Sequence, residues 1–272
     1  MNRPEQPDLL MPIPDAQSGT DDRHLAIDQV GIRGLKYPMT FVDHDGIAQP
    51  TIAVANVYVA LPEDRKGTHM SRLVMLLEDR AAPGAPPLSV AALAGLLGDL
   101  VVRLDAPGGR IELAFPFFVR KIAPVSGVAS LLDYEVRLIG ELADGRLSQT
   151  VSVAVPVTSL CPCSKEISEY GAHNQRSTVT ITVRGSAPVF VYELLRIAED
   201  EASCELYGIL KRADEKYVTE RAYDNPRFVE DLVRGIAGRL AADPRFEGFC
   251  VEAENFESIH NHSAYARIAK GL

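Results

Sequence analysis

The chain has 272 residues, 46% of them hydrophobic and 24% charged, with a formal net charge of −9. It is long enough for one large core or two ordinary ones, and its acidic balance excludes a surface built to attract nucleic acid or anionic membrane. It contains no apolar run of the roughly 18 residues that a membrane-spanning helix needs. Residues 1–20 are rich in Pro, Asp and Gln and lack the charged start and apolar stretch of a signal peptide. They are expected to form a flexible N-terminal segment, and the protein is expected to be cytoplasmic. Four cysteines make no disulfide framework in a chain this long, so each is expected to be a ligand, a nucleophile or a core residue.

Residues 37–42 and 51–61 read as strands, the second β-branched at Ile52, Val54, Val57 and Val59, with a turn at His44-Asp45-Gly46. Residues 73–80 read as a helix, residues 81–87 as a Pro/Gly linker, and Ser89 as the cap of a helix reaching Leu104. Strands follow over 110–118 and 131–142, then 146–157 and 178–183. A helix is expected over 190–204, and another from an Asn225 N-cap with Pro226 at its first position, ending near Ala241. Strands over 248–256 and 262–268 close the chain.

The order strand-strand-helix-helix-strand-strand thus occurs twice, over 21–144 and 145–272. It predicts an α+β fold of two tandem ββααββ modules, each an antiparallel sheet with helices on one face. Four strands are too few to close a barrel, so the exposed edges predict an oligomer whose sheets join across subunits.

The chemistry concentrates in Thr158-Ser159-Leu160-Cys161-Pro162-Cys163-Ser164-Lys165 and Gly171-Ala172-His173-Asn174-Gln175-Arg176-Ser177. Thiolate and imidazole are good transition-metal donors, and a set short of four suits a catalytic ion with an open position. Cys161 with His173 suggests such a site. Cys204 and Cys250 sit alone in apolar segments and read as core residues. His260 and His262 share a face if extended, and imidazoles are the natural proton carriers near neutral pH. The Lys66–Arg72 run, which includes His69, reads either as a phosphate site or as a solvated helix start. Spacing alone does not single out Glu215 or Glu230. Neither a Walker loop nor a Gly-x-Gly-x-x-Gly turn is present.

These motifs, with Lys66-Gly67-Thr68-His69-Met70-Ser71-Arg72 and Glu254-Asn255-Phe256-Glu257-Ser258-Ile259-His260-Asn261-His262, resemble the type IB GTP cyclohydrolase I family. The resemblance runs from about residue 20 to the C-terminus. It implies a tunnelling fold assembled as a cytoplasmic homotetramer of barrels. The implied reaction opens the guanine imidazole ring of GTP to give formate and 7,8-dihydroneopterin triphosphate, the first step of folate synthesis. It further implies a divalent metal (manganese, zinc or iron(II)) held by Cys161, His173 and Glu215. Glu230 would bind guanine, and His260 and His262 would move protons, with Cys161 and Glu230 also part of the catalytic set. Lys66, Arg72, Lys165 and Arg176 are the candidates for the triphosphate. The alternative on the same fold is the NADPH-dependent nitrile reductase of queuosine synthesis, in which the Cys is a nucleophile.

Overall fold

The computed structural model describes Gln17 and residues 19–272, so the N-terminal segment expected over residues 1–20 lies almost wholly outside the described residues. Strand β1 (Ile27–Phe41) pairs antiparallel with β2 (Gln49–Leu61). β1 is far longer than the strand expected over 37–42. Its register shifts twice, and Gly34 takes a positive φ of 72° at the second shift, where a bulge needs that freedom. In β2 the buried positions are Ala53, Ala55, Val57, Val59 and Leu61. Ile52 and Val54 therefore belong to the opposite face, because side chains alternate along a strand.

Helix α1 (Met70–Ala81) lies where expected and buries Leu73, Leu76 and Leu77. Helix α2 (Leu93–Leu104) starts a turn later than expected. Ser89 Oγ does accept the Ala92 N–H at 3.1 Å, but residues 90–92 form a turn before the regular helix. Strands β3 (Gly109–Ile122) and β4 (Ala129–Ala143) form a second hairpin. β4 then turns through Asp144 and Gly145 into β5 (Arg146–Leu160). Both turn residues have positive φ, 51° and 70°, as a two-residue type I′ turn requires.

Beyond β5 come α3 (Pro162–Ile167), β6 (Asn174–Gly185), α4 (Val191–Glu201) and β7 (Cys204–Glu205). Then follow α5 (Arg212–Asp224), α6 (Val229–Ala241), β8 (Gly248–Asn255) and β9 (Ala264–Lys270). Three of these elements, α3, β7 and α5, are additional to the expected order. The helix expected over 190–204 stops at Glu201, and the chain peels off so that β7 pairs with β5. Asn225 is not the N-cap of α6. Its amide donates to the Ala202 carbonyl at 2.9 Å and it ends α5, leaving Phe228 at the N-cap position.

Among the described residues the strands form one continuous sheet, ordered β1-β2-β3-β4-β5-β6-β8-β9, every pair antiparallel. Its apolar face (Ile111, Leu113, Phe115, Val151, Val153, Val155, Val179, Ile181) packs in one core with Leu96, Leu97, Leu194, Leu232 and Ile236 of the helices. The other face mixes exposed apolar side chains, Ile52, Val54, Phe118 and Ile122, with polar ones. There Glu112 accepts from Asn56 at 3.0 Å, Arg110 at 2.8 Å and Arg137 at 2.9 Å. Partial burial pushes this carboxyl up, but the three donors outweigh burial and hold it at about 2.

Long-range carboxylates tie early segments to late ones. Asp43, just past β1, accepts the Val191 and Tyr192 N–H groups at 2.9 Å each and so caps α4. Asp214 in α5 accepts the Val125 and Ser126 N–H groups at 2.8 Å, the Ser126 hydroxyl at 2.6 Å and the Lys211 N–H at 2.8 Å. Burial alone would raise the Asp214 carboxyl, but these donors hold it well below the usual carboxylate range. A depressed carboxyl stabilises the fold above its unfolded pKa of about 3.9 and loses that contribution as pH falls below it. Asp214→Asn is therefore expected to lower the urea midpoint at pH 7, with the deficit shrinking toward pH 2. Equal deficits at both pH values would mean that the charge contributes nothing.

Candidate functional site

The site is built where β5 ends. Alternate valines, Val151 to Val157, bury one face of β5 and carry it rigidly to Leu160. The Cys161 N–H then donates to the His173 carbonyl at 3.1 Å, which closes the loop between β5 and β6 and sets the two residues side by side. Ser164 ties the loop internally. Its N–H donates to Cys161 Sγ at 3.4 Å, its hydroxyl donates to the Cys161 carbonyl at 3.1 Å, and its Oγ accepts the His173 N–H at 3.2 Å.

His173 Nδ1 lies 3.0 Å from Oε1 of buried Gln175 and 3.4 Å from Ser258 Oγ. An amide oxygen only accepts, so in this contact Nδ1 is the donor, and Nε2 is left to face a ligand. Outer-shell bonding of this kind orients metal-binding histidines. The Arg227 N–H donates to the Leu160 carbonyl at 3.1 Å, pinning the segment before α6 against the residue that precedes Cys161.

Together these segments enclose a cavity of about 330 Å³. Cys161, Glu230, His260 and His262 all line it, so the structure brings together the four residues expected to be catalytic. Glu230 comes from the first turn of α6. The His260 and His262 rings stack at 5.2 Å between centroids, 19° from parallel, in the loop before β9 rather than within a strand. Gln175, Arg227 and Asn255 also line the cavity and were not singled out in the sequence. Gln175 is reached through its hydrogen bond to His173, just before β6 begins at Asn174, a contact that sequence spacing alone does not reveal.

Other expected residues lie elsewhere. Glu215 is exposed in the first turn of α5. Among the described residues no three His, Cys, Asp or Glu side chains gather to hold a metal, so Glu215 does not complete a trio with Cys161 and His173 in one chain. Lys165 is turned onto α5, where it donates to the Tyr223 carbonyl and sits 4.2 Å from that ring. Arg176 is exposed between buried Gln175 and Ser177, hence on the opposite face of β6. Arg72 lines a separate cavity of about 320 Å³ with Arg65, Thr68 and His69, and exposed Lys66 belongs to the same segment. That cavity sits where β2 ends, at Val59–Leu61. The antiparallel order places the end of β2 and the end of β5 at opposite ends of the sheet.

As a donor set, a thiol beside an imidazole fits zinc or iron(II), and an added carboxylate would suit manganese. Among the described residues these are two candidate donors, and no third His, Cys, Asp or Glu gathers with them.

Residues 13–266 match the family model described as type I GTP cyclohydrolase folE2. The chain is 58% identical over 258 residues to a GTP cyclohydrolase FolE2 of Burkholderia ambifaria, covering 95% of this chain and 94% of that one. It is 56% identical over 258 residues to the GTP cyclohydrolase FolE2 of Herminiimonas arsenicoxydans, covering 95% and 97%. Among solved structures, a uricase from Arthrobacter globiformis superposes with a TM-score of 0.51 over 92% of this chain and 93% of that one. At 8% identity this likeness concerns the fold alone.

Proposed function

This chain belongs to the type I GTP cyclohydrolase folE2 family and is a GTP cyclohydrolase I, and we propose that its chemistry is done in the cavity lined by Cys161, with His173 beside it in the same loop. The observation carrying this reading is that Cys161, Glu230, His260 and His262 line one cavity although they span a hundred residues of sequence. Cys161 and His173 would hold the divalent ion, with Glu215 as the third donor once the ion is bound. The chemistry such an ion supplies is Lewis acidity, which brings the pKa of water down to about 7.

The protein's own residues do the rest. Glu230 accepts the N1–H and 2-amino protons of guanine, a charged two-point anchor that aligns C8 for attack by water. His260 and His262 give a proton to the departing ring nitrogen and take one back as formate leaves and the new ring closes. Gln175 keeps the His173 ring in one orientation. The products are formate and 7,8-dihydroneopterin triphosphate.

The triphosphate is proposed to meet Lys66 and Arg72 of a second copy. Fifteen-residue β5 spans about 50 Å at about 3.3 Å per residue, so one nucleotide does not reach both ends of one chain. Open edges at β1 and β9 support the same reading, in which two ββααββ modules per chain, 21–144 and 145–272, close into barrels across a homotetramer of the tunnelling fold. No helix among the described residues is long and apolar enough to cross a membrane; we place the enzyme in the cytoplasm and its product in folate synthesis.

The test strips the protein with chelator, restores manganese, zinc or iron(II) singly, supplies GTP and oxidises the product to fluorescent neopterin. Fluorescence is expected with at least one metal and none without. Silence with every metal from folded protein would overturn the reading and direct attention to NADPH-dependent reduction of a nitrile-bearing deazaguanine.

A further inference from the structure

Four buried side-chain atoms among the described residues lack a hydrogen-bond partner, and two of them, Arg227 Nε and Asn255 Oδ1, belong to residues lining the Cys161 cavity. Asn255 is only 3% exposed. A buried donor or acceptor left unpaired is costly, and one that lines a binding cavity is a natural partner for the ligand. Arg227 is held by its backbone, since its N–H is bonded to the Leu160 carbonyl at 3.1 Å. Three residues later Glu230 enters the same cavity from the first turn of α6. One short, anchored segment therefore presents a permanent N–H donor and a carboxylate together.

Guanine matches that pair. Its N1–H and 2-amino group donate, and the adjacent O6 accepts. A carboxylate is an acceptor only and cannot serve O6. Gln175 and Asn255 also carry amide N–H donors, but the buried donor left unpaired among the cavity's lining residues is the Arg227 Nε–H. The Arg227 Nε–H is a donor that is never lost to titration. We propose that Arg227 is a specificity-determining residue that donates from Nε to O6 of the purine beside Glu230. This rests on the guanine-binding role proposed above for Glu230. It makes the site a reader of a 6-oxo, 2-amino purine, since a buried donor facing a poor acceptor is left unpaired again.

The experiment compares GTP with 6-thioguanosine triphosphate, which keeps N1–H and the 2-amino group but weakens the acceptor at C6. Wild-type holoenzyme is expected to prefer GTP in kcat/KM by roughly tenfold or more. Arg227→Met is expected to raise KM for GTP by roughly 10- to 100-fold with kcat little changed, and to erase the preference. A merely structural Arg227 would lower activity on both nucleotides alike and leave the ratio intact, which overturns the proposal. So does a wild-type enzyme that turns over GTP yet treats the two nucleotides equally. Should Arg227→Met fail to fold, Arg227→Leu takes its place under the same criterion. Failure of wild type to act on GTP at all would instead defeat the reading of the whole site.

Discussion

Cys161→Ala and His173→Ala will each lower GTP turnover by on the order of 10³-fold or more, with the protein still folded. Both residues are half-buried, and Sγ makes one bond within its loop, to the Ser164 N–H. Losing that bond removes a cap from a six-residue helix and should cost stability no more than about 1 kcal/mol. On the proposed role, losing either residue is different, because it removes one of only two metal donors that the β5–β6 loop supplies. Bound metal measured by mass spectrometry should fall with turnover, while the unfolding midpoint moves little. His260→Ala is the contrasting case. It should slow the reaction by roughly 10²- to 10⁴-fold with metal content unchanged. Full activity in Cys161→Ala or His173→Ala would remove that residue from the metal site, and metal loss in His260→Ala would make that imidazole a ligand.

Lys121→Met should be the most destabilising single change, by roughly 3–5 kcal/mol. Lys121 Nζ is 2.8 Å from both oxygens of Glu199 and also bonds Glu205. The Glu199 side chain is fully buried and that of Lys121 is 7% exposed. Tyr134 OH at 2.9 Å and Arg196 at 2.9 Å complete the shell of Glu199. Burial pushes the Glu199 carboxyl up. Burial works on Glu205 as well, but Lys121 and Arg196 outweigh it and hold that carboxyl low. Removing the ammonium leaves two carboxylates in one closed space with Arg196 as the nearest cation. Urea unfolding measures the loss. Lys121→Met combined with Glu199→Gln should recover much of it, since the cost is an uncompensated charge. A loss below about 1 kcal/mol in the single variant would show that the pocket hydrates and the ion pair is dispensable.

The parts legible in the sequence are those held by periodic apolar burial. Val151, Val153, Val155 and Val157 announce β5, and Leu232, Ile236 and Leu240 announce α6. Helix α5 carries no such stripe, for its buried residues are Asp214 and Ala222 alone. It is held by donors from the β3–β4 hairpin, a tertiary cause that no local pattern carries. Asn225 misleads for the same reason, since a side chain suited to capping the helix ahead is used on Ala202 behind it. In the site, Cys161 and His173 stand out by type and spacing. Arg227 and Asn255 are ordinary polar residues until packing leaves their atoms without partners. Glu215, which only the family resemblance points to, lies exposed in the first turn of α5.

The strand order has a consequence for how the protein is made. With one small exception at β7, each strand pairs with the strand synthesised just before it. A chain leaving the ribosome from its N-terminus can add strands in turn, most of them closing short loops, while β3 and β8 join only after the helical segments that precede them have been made. Two contacts that reach far along the chain, Asp43 to the head of α4 and Lys121 to Glu199, wait until that helix has emerged. They act as late latches on a sheet already laid down, so weakening either should speed unfolding far more than it slows folding.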